Sequence, residues 1–132
     1  MKKVIIFATF CIVVFSMAVV AAASESNPET AVEYFKRGVD YAQRGDYDKA
    51  IADFTKIIEI NPKYALAYRN RALVWFSKKD YDKAIADFTK AIEINPAFAE
   101  GYHGRALVYD AMKEHDKAKA DYAKAAEIDG TQ

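Results

Sequence analysis

The sequence predicts an all-α protein built from repeated helix pairs, and three observations support this fold class. Residues 46–62 and residues 80–96 are identical except that Ile57 of the first copy is replaced by Ala91 in the second. The copies lie 34 residues apart, and a more divergent third copy follows at the same offset over residues 115–130. Apolar residues within each copy recur at steps of three and four residues, which places them on one face of a helix. A fixed period of this length is typical of helical arrays, in which each unit stacks on the next.

The same period divides the chain into three complete units, residues 31–64, 65–98 and 99–132. When each unit is numbered from 1 to 34, aromatic residues recur at positions 4, 11 and 24, namely Tyr34, Tyr68, Tyr102, Tyr41, Trp75, Tyr109, Phe54, Phe88 and Tyr122. Small residues recur at positions 8 and 20, namely Gly38, Ala72, Ala106, Ala50, Ala84 and Ala118. Small side chains let two helices approach closely, so we expect the aromatic side chains to fill the remaining core.

This arrangement resembles the tetratricopeptide repeat, a 34-residue helix–turn–helix unit. Pro62 and Pro96 also match the repeat, because they stand at its usual proline position near the end of a unit. The resemblance covers residues 31–132 and implies three units stacked as a short right-handed solenoid. The main departure is at position 7, where the usual leucine is replaced by arginine in every unit, at Arg37, Arg71 and Arg105.

Start and stop signals divide each unit into two helices. We expect the first helix to run from about Thr30 to Arg44 and to end at Gly45, because glycine readily adopts the left-handed conformation that terminates helices. Asp46 offers a side-chain acceptor to the start of the next helix, which we expect to end near Ile60, before an Asn-Pro pair. The second unit repeats the same signals.

Charged residues also recur at the period of the array. Besides the arginines at position 7, these are aspartate at position 23 and lysine at position 26, namely Asp53, Asp87, Asp121, Lys56, Lys90 and Lys124. One interpretation is a basic ladder that binds an acidic ligand. The simpler interpretation is structural, with pairs along and between helices that are each worth roughly tenths of a kcal/mol.

The third unit differs on the side that a further unit would cover. Lys119 and Ala126 replace isoleucines that occupy the same positions in the first two units. A terminal repeat with a more polar outer face keeps an array soluble. We therefore expect a self-capped end and a monomer or a weak homo-oligomer.

The N-terminal segment predicts export. Residues 1–23 contain two lysines, then an uncharged apolar run, then small residues before Ser24, which is the order of a secretory signal peptide. The alternative is an uncleaved anchor in the inner membrane, because the 20 residues 4–23 are long enough to span a bilayer as a helix. Residues 24–30 are polar and are expected to form a linker. The expected location is periplasmic or secreted, and membrane contact is expected only if the segment is not cleaved.

Charge, cysteine and histidine content argue against several functions. Two of the 19 basic residues lie in residues 1–23, which leaves 17 against 19 acidic residues, so there is no basic field for a nucleic-acid partner. The single cysteine, Cys11, lies in the same segment, so we expect neither a disulfide nor a cysteine metal site in the domain. His103 and His115 lie in different predicted helices, with no nucleophile or third ligand beside them. We therefore expect no catalytic residues, no metal and no cofactor.

The resemblance implies that a partner binds the concave face, which the first helix of each unit forms. At those positions we select nine candidate partner-binding residues: Phe35, Lys36, Val39, Arg69, Asn70, Leu73, Phe76, His103 and Leu107. An apolar centre, an Arg69–Asn70 polar pair and an acidic third unit suit an amphipathic or extended peptide with apolar anchors. The alternative is a groove without a dedicated ligand.

The carboxylate clamp, by which some members of this family grip the acidic C-terminus of a chaperone, is not expected. Phe35, Val39, Glu100 and Gly104 stand where the clamp needs lysine, asparagine, lysine and arginine, and only Asn70 matches. We therefore expect a non-catalytic adaptor or scaffold for another protein or peptide. The alternatives are a membrane-anchored assembly factor and an accessory subunit of an envelope enzyme or secretion complex.

Overall fold

The computed structural model of the chain describes residues 28–130, which form six α-helices. These are α1 (Pro28–Gln43), α2 (Tyr47–Ile60), α3 (Ala65–Ser77), α4 (Tyr81–Ile94), α5 (Ala99–Ala111) and α6 (His115–Gly130). The all-α class and the three helix pairs are confirmed. Across residues 28–130, no helix has the length and apolar character needed to cross a membrane. The predicted signal peptide lies outside the described residues, as does the start of the predicted linker.

The helices stack in chain order. Each helix packs against the next one, and the first helices of successive units, α1 with α3 and α3 with α5, also contact each other. The second helices, α2, α4 and α6, make no such contacts among themselves over residues 28–130. The first helices therefore lie side by side on one face of the stack, which we call the concave face.

The first helix begins earlier than predicted. Helix α1 starts at Pro28, so residues 28–30 of the predicted linker are helical. Proline suits the first turn of a helix because its missing N–H has no partner to lose there. The prediction for Asp46 is wrong, because its side chain makes no cap hydrogen bond, whereas the Asp80 carboxylate accepts a long one from the Lys83 N–H at 3.4 Å.

The turn inside each unit is closed by a residue with positive φ. Gly45 has φ of +81°, as its predicted role as a helix terminator requires. Lys79 and Lys113 occupy the same position in the next two units, and both have φ of 63°. In the first unit, the N–H that follows donates to a carbonyl five residues earlier, from Asp46 to Tyr41 at 2.8 Å. This is the Schellman pattern, which needs a left-handed residue regardless of its side chain.

Replacing Lys79 by glycine is predicted to stabilise the protein. The left-handed conformation costs a residue with a Cβ about 1–2 kcal/mol, and glycine avoids this cost but loses more chain entropy, so we expect a net gain of about 0.5–1 kcal/mol. Gly45→Ala should change the free energy of unfolding in the opposite direction. Urea denaturation of both variants measures the two changes, and a destabilised Lys79→Gly would contradict the prediction.

Two phenylalanines at position 24 form the centre of the core. Phe54 and Phe88 are each 1% exposed, and the small residues Ala50 and Ala84, one turn before them, are fully buried. A Cβ on Gly38 would lie only 3.0 Å from the Phe54 ring, so position 8 has to be small in the first unit. The predicted role of the small positions is therefore confirmed.

The expectation that all nine aromatic side chains are buried is wrong, because only Phe54, Tyr68 and Phe88 are buried, and the position-11 residues pack at the edge of the core. Tyr41, Trp75 and Tyr109 are only half-buried. Each ring is covered by the lysine at position 19, with the Nζ atoms of Lys49, Lys83 and Lys117 at 5.3, 4.3 and 5.4 Å from the ring centroids. A cation above an aromatic face is attracted to the ring while it stays in contact with water.

Two of the arginines at position 7, Arg71 and Arg105, join three helices each, whereas Arg37 donates only to Asp53 within residues 28–130. Arg71 of α3 is the first of the two. Its Nε and Nη2 atoms donate to the two carboxylate oxygens of Asp87 on α4, at 2.7 and 2.8 Å. Its Nη1 atom donates to the hydroxyl of Thr55 on α2 of the preceding unit, at 3.0 Å. Arg105 repeats the arrangement with Asp121 and with Thr89 of the preceding unit.

These pairs support the structural interpretation of the repeated charges. Asp53, Asp87 and Asp121 are buried, and a buried carboxylate is tolerated only when a cation and hydrogen bonds compensate it. The hydrogen bond to the aspartate raises the pKa of Arg71 and of Arg105. The lysines at position 26 face glutamates one turn along the second helices, for example Lys124 and Glu127 at 3.0 Å.

Replacing Arg71 by lysine is predicted to destabilise the fold although the charge is kept. Lysine cannot form the two parallel hydrogen bonds to Asp87 and also reach Thr55, so we expect a loss of about 1–3 kcal/mol. The matched control is Arg37→Lys, because the Arg37 side chain is 53% exposed, against 19% for Arg71. This control should lower the free energy of unfolding by less than about 1 kcal/mol.

Chemical denaturation measures both losses in the free energy of unfolding. Equal losses for the two variants would show that the contact with the preceding unit contributes nothing.

Candidate partner-binding groove

Two adjoining hollows lie along the concave face. The α1/α3 hollow has a volume of about 260 Å³ and lies between the first helices of units one and two. The α3/α5 hollow has a volume of about 300 Å³ and lies between the first helices of units two and three. Leu73 on α3 lines both hollows, so they adjoin at this residue, and we call the two together the groove.

The structure places six of the nine sequence-predicted residues in this groove. Val39, Asn70 and Leu73 line the α1/α3 hollow, and Arg69, Leu73, His103 and Leu107 line the α3/α5 hollow. Leu107 is 39% exposed, which makes it the most accessible large apolar side chain in the groove. The Arg69 Nη1 atom donates to the Asn70 Oδ1 atom at 3.0 Å, so this polar pair connects the two hollows.

The other three predicted residues lie elsewhere. Phe35 lines a separate apolar hollow beside α1, where its ring packs on Phe54 and Tyr64 with centroids 6.0 and 6.5 Å away. Phe76 packs against Tyr81 with ring centroids 5.8 Å apart, so it belongs to the junction of α3 and α4. Lys36 is exposed on α1 and lines neither hollow of the groove.

Glycine allows close packing of α5 on Phe88 beside the α3/α5 hollow. A Cβ atom added at Gly104 would lie 2.3 Å from the Phe88 Cε1 atom, which no real side chain could tolerate without movement of the ring. The Phe88 ring therefore packs directly on the backbone of α5, and it borders the hollow while only 1% exposed. The other two units have Lys36 and Asn70 at this position, so glycine occurs there only in the third unit.

Part of the groove comes from the second helices, which the sequence did not predict. Phe88 on α4, together with Ala125 and Asp129 on α6, lines the α3/α5 hollow. The resemblance assigns the concave face to first helices, so these residues were not candidates. The one signal in the sequence was Gly104, because a small residue marks a place where a neighbouring element comes close.

A hydrogen-bonded cluster lies beside the groove in the third unit. The Tyr122 hydroxyl donates to one Asp110 oxygen at 3.0 Å, and the His115 Nδ1 atom lies 3.0 Å from the other. The His103 ring packs edge-on against Tyr122, with centroids 5.3 Å apart. The hydrogen bonds from His115 and Tyr122 lower the pKa of Asp110, and burial together with the bond to Asp110 raises the pKa of Tyr122.

This cluster shows how the third unit presents an open side. Tyr122 stands where the other units have a buried phenylalanine, and it is half-buried with its hydroxyl satisfied by Asp110. Lys119 and Ala126 are exposed, as predicted for a polar outer face. No group of three or more histidine, cysteine or acidic side chains suited to holding a metal ion occurs in residues 28–130.

Three stacked helix pairs with a groove along their first helices define a helical-repeat protein. The particular family follows from sequence comparison. Residues 35–97 and residues 99–132 match two profiles that are both described as tetratricopeptide repeat. The chain belongs to the tetratricopeptide repeat family.

Solved structures of similar proteins agree with this assignment. The TPR2B domain of yeast Sti1, in its pHsp70 complex, is 31% identical with a TM-score of 0.75, over 78% of this chain and 82% of that chain. MamA is 31% identical with a TM-score of 0.73, over 76% of this chain and 59% of that chain. The first TPR of Spaghetti (RPAP3), bound to the HSP90 peptide SRMEEVD, is 26% identical with a TM-score of 0.74, over 80% of this chain and 84% of that chain. No match was found among the curated proteins.

Proposed function

We propose that this protein is a non-catalytic adaptor or scaffold that binds a peptide segment of a partner protein in the groove of the concave face. The observation that carries the proposal is that the two hollows adjoin at Leu73 along the first helices, with Leu107 exposed in one of them. Grooves of this kind bind extended or helical segments through apolar anchors and a few polar contacts. The solved complexes of yeast Sti1 and of Spaghetti support the proposal, since both repeat domains hold a chaperone peptide or partner.

The groove side chains support binding rather than catalysis. His103 is the only histidine that lines the α3/α5 hollow, and no serine or cysteine lines that hollow beside it. Its ring packs on Tyr122 instead of being oriented by a carboxylate toward a nucleophile. The role of the groove is therefore to hold a partner.

The proposed place of action is outside the cytoplasm, and this rests on residues 1–23. The alternative is a domain that remains anchored by residues 4–23 and helps an envelope or secretion complex, or an envelope enzyme, to assemble. Both versions present the same groove, so they differ only in whether the protein diffuses freely.

Cleavage is predicted to leave Ser24 as the first residue of the exported protein, because small residues precede it and polar residues follow. N-terminal sequencing of the protein from the native envelope measures this directly. An intact N-terminus in the membrane fraction would favour the anchored version.

Leu107→Glu is predicted to weaken partner binding through the groove. The substitution puts a charge on the apolar floor, and we expect the affinity for a partner to fall about tenfold or more. The matched control is Ile60→Glu, because Ile60 is 41% exposed on α2 and lies outside both hollows.

The measurement is cross-linked capture from the native envelope with the original chain and both variants, each checked for helicity by circular dichroism. A protein lost with Leu107→Glu and kept with Ile60→Glu is a groove partner. Identical capture by all three chains would remove the groove from the mechanism.

A further inference from the structure

The charges around the α3/α5 hollow are predominantly acidic. Glu100 on α5 and Asp129 on α6 line it, and Arg69 is the one cationic side chain among its lining residues. Arg69 donates to Asn70, while neither acid has an ion-pair partner among residues 28–130. Two unpaired carboxylates on one rim create a local negative potential that a cation from outside would relieve.

The fold does not require these acids. Glu100 stands at a position that holds Val32 and Leu66 in the other units, and Asp129 stands where the others have Asn61 and Asn95. The buried aspartates that stabilise the stack repeat in every unit, whereas these two acidic residues occur only in the third. A charge that departs from the repeat at a groove position is explained better by recognition than by folding.

The floor beneath the acids is apolar. Leu73, Leu107 and the Phe88 ring line it, and Leu107 is the exposed member of the three. An apolar side chain of a partner would bury against these groups, and a long basic side chain next to it would reach the rim. Lysine and arginine suit such a rim because their stems pack on apolar surface while the charge meets the carboxylates.

We propose that the α3/α5 hollow selects a partner segment in which a lysine or arginine flanks a large apolar residue, and that it disfavours acidic segments. This inference rests on the proposed function. The proposed preference for basic segments differs from the ligand of one relative, which was solved with SRMEEVD, a peptide with three acidic residues. Like charges brought together at an interface oppose binding and thereby exclude wrong partners.

The test is a fluorescence-anisotropy titration of the full chain with three labelled, amidated peptides of equal length: GSKLFKSG, GSQLFQSG and GSELFESG. We expect the lysine peptide to bind about tenfold more tightly than the glutamine peptide at low salt, and the glutamate peptide to bind most weakly. The advantage of the lysine peptide should shrink as salt is added, because the acids lie at the surface.

Two double variants assign any preference to the hollow. Glu100→Gln with Asp129→Asn should remove the advantage of the lysine peptide and leave binding of the glutamine peptide unchanged. Glu33→Gln with Asp116→Asn changes the net charge equally at exposed positions outside the hollow, and it should preserve the advantage.

The outcomes distinguish this inference from the proposed function. Equal binding of the three peptides that is lost in Leu107→Glu would keep the groove as a binding site and overturn the preference for basic segments. An equal effect of the two double variants would also overturn it, because net charge alone would then explain the preference. Absence of binding by all three peptides would overturn this inference, while the capture experiment with Leu107→Glu would still decide the proposed function.

Discussion

The contact on which the stack depends is the arginine at position 7, because one side chain fixes three helices relative to each other. Arg71 binds Asp87 on the other helix of its own unit and Thr55 on the last helix of the unit before. A leucine at this position would pack equally well at several rotations of α3. The directional hydrogen bonds favour a single rotation of α3. Any other rotation would leave the buried carboxylate of Asp87 without its partners. The arginine–aspartate pairs therefore fix the register of the helices, and Phe54 and Phe88 are the largest fully buried side chains of the core.

That register also determines the groove. Arg69, Asn70 and Leu73 lie on the same helix as Arg71, so the contact that holds α3 to its neighbours decides which of its side chains face the two hollows. A site on rigid elements with locked neighbours keeps its geometry when a partner binds. The groove is thus preorganised by contacts on the opposite side of the same helix.

The repeated sequence was sufficient to predict the class, the number of units and most helix ends, because repetition reveals which positions the stack needs. It did not predict that Lys79 takes the same left-handed conformation as Gly45, since the turn geometry of the family overrides the preference of the residue. It also did not predict the half-exposure of Trp75, because burial depends on the neighbouring helix and on Lys83. Of the groove, the first-helix residues could be predicted by resemblance. Phe88 and Asp129 could not be predicted, because the spacing of residues along a first helix does not show which residues of the second helices pack beside it.

The residues that repeat in every unit hold the stack together, and the residues proposed to recognise a partner are those that differ between units. A perfectly repeated array would present two equivalent hollows and could not fix the register of a partner along them. Here the asymmetry comes from the third unit, where Glu100, Gly104 and Asp129 depart from the other copies on one hollow. The α1/α3 hollow is lined instead by apolar and neutral polar side chains such as Val39 and Asn70. A segment with a basic end and an apolar or neutral end would therefore meet different surroundings in the two directions, and the energy difference between those directions sets the polarity of binding.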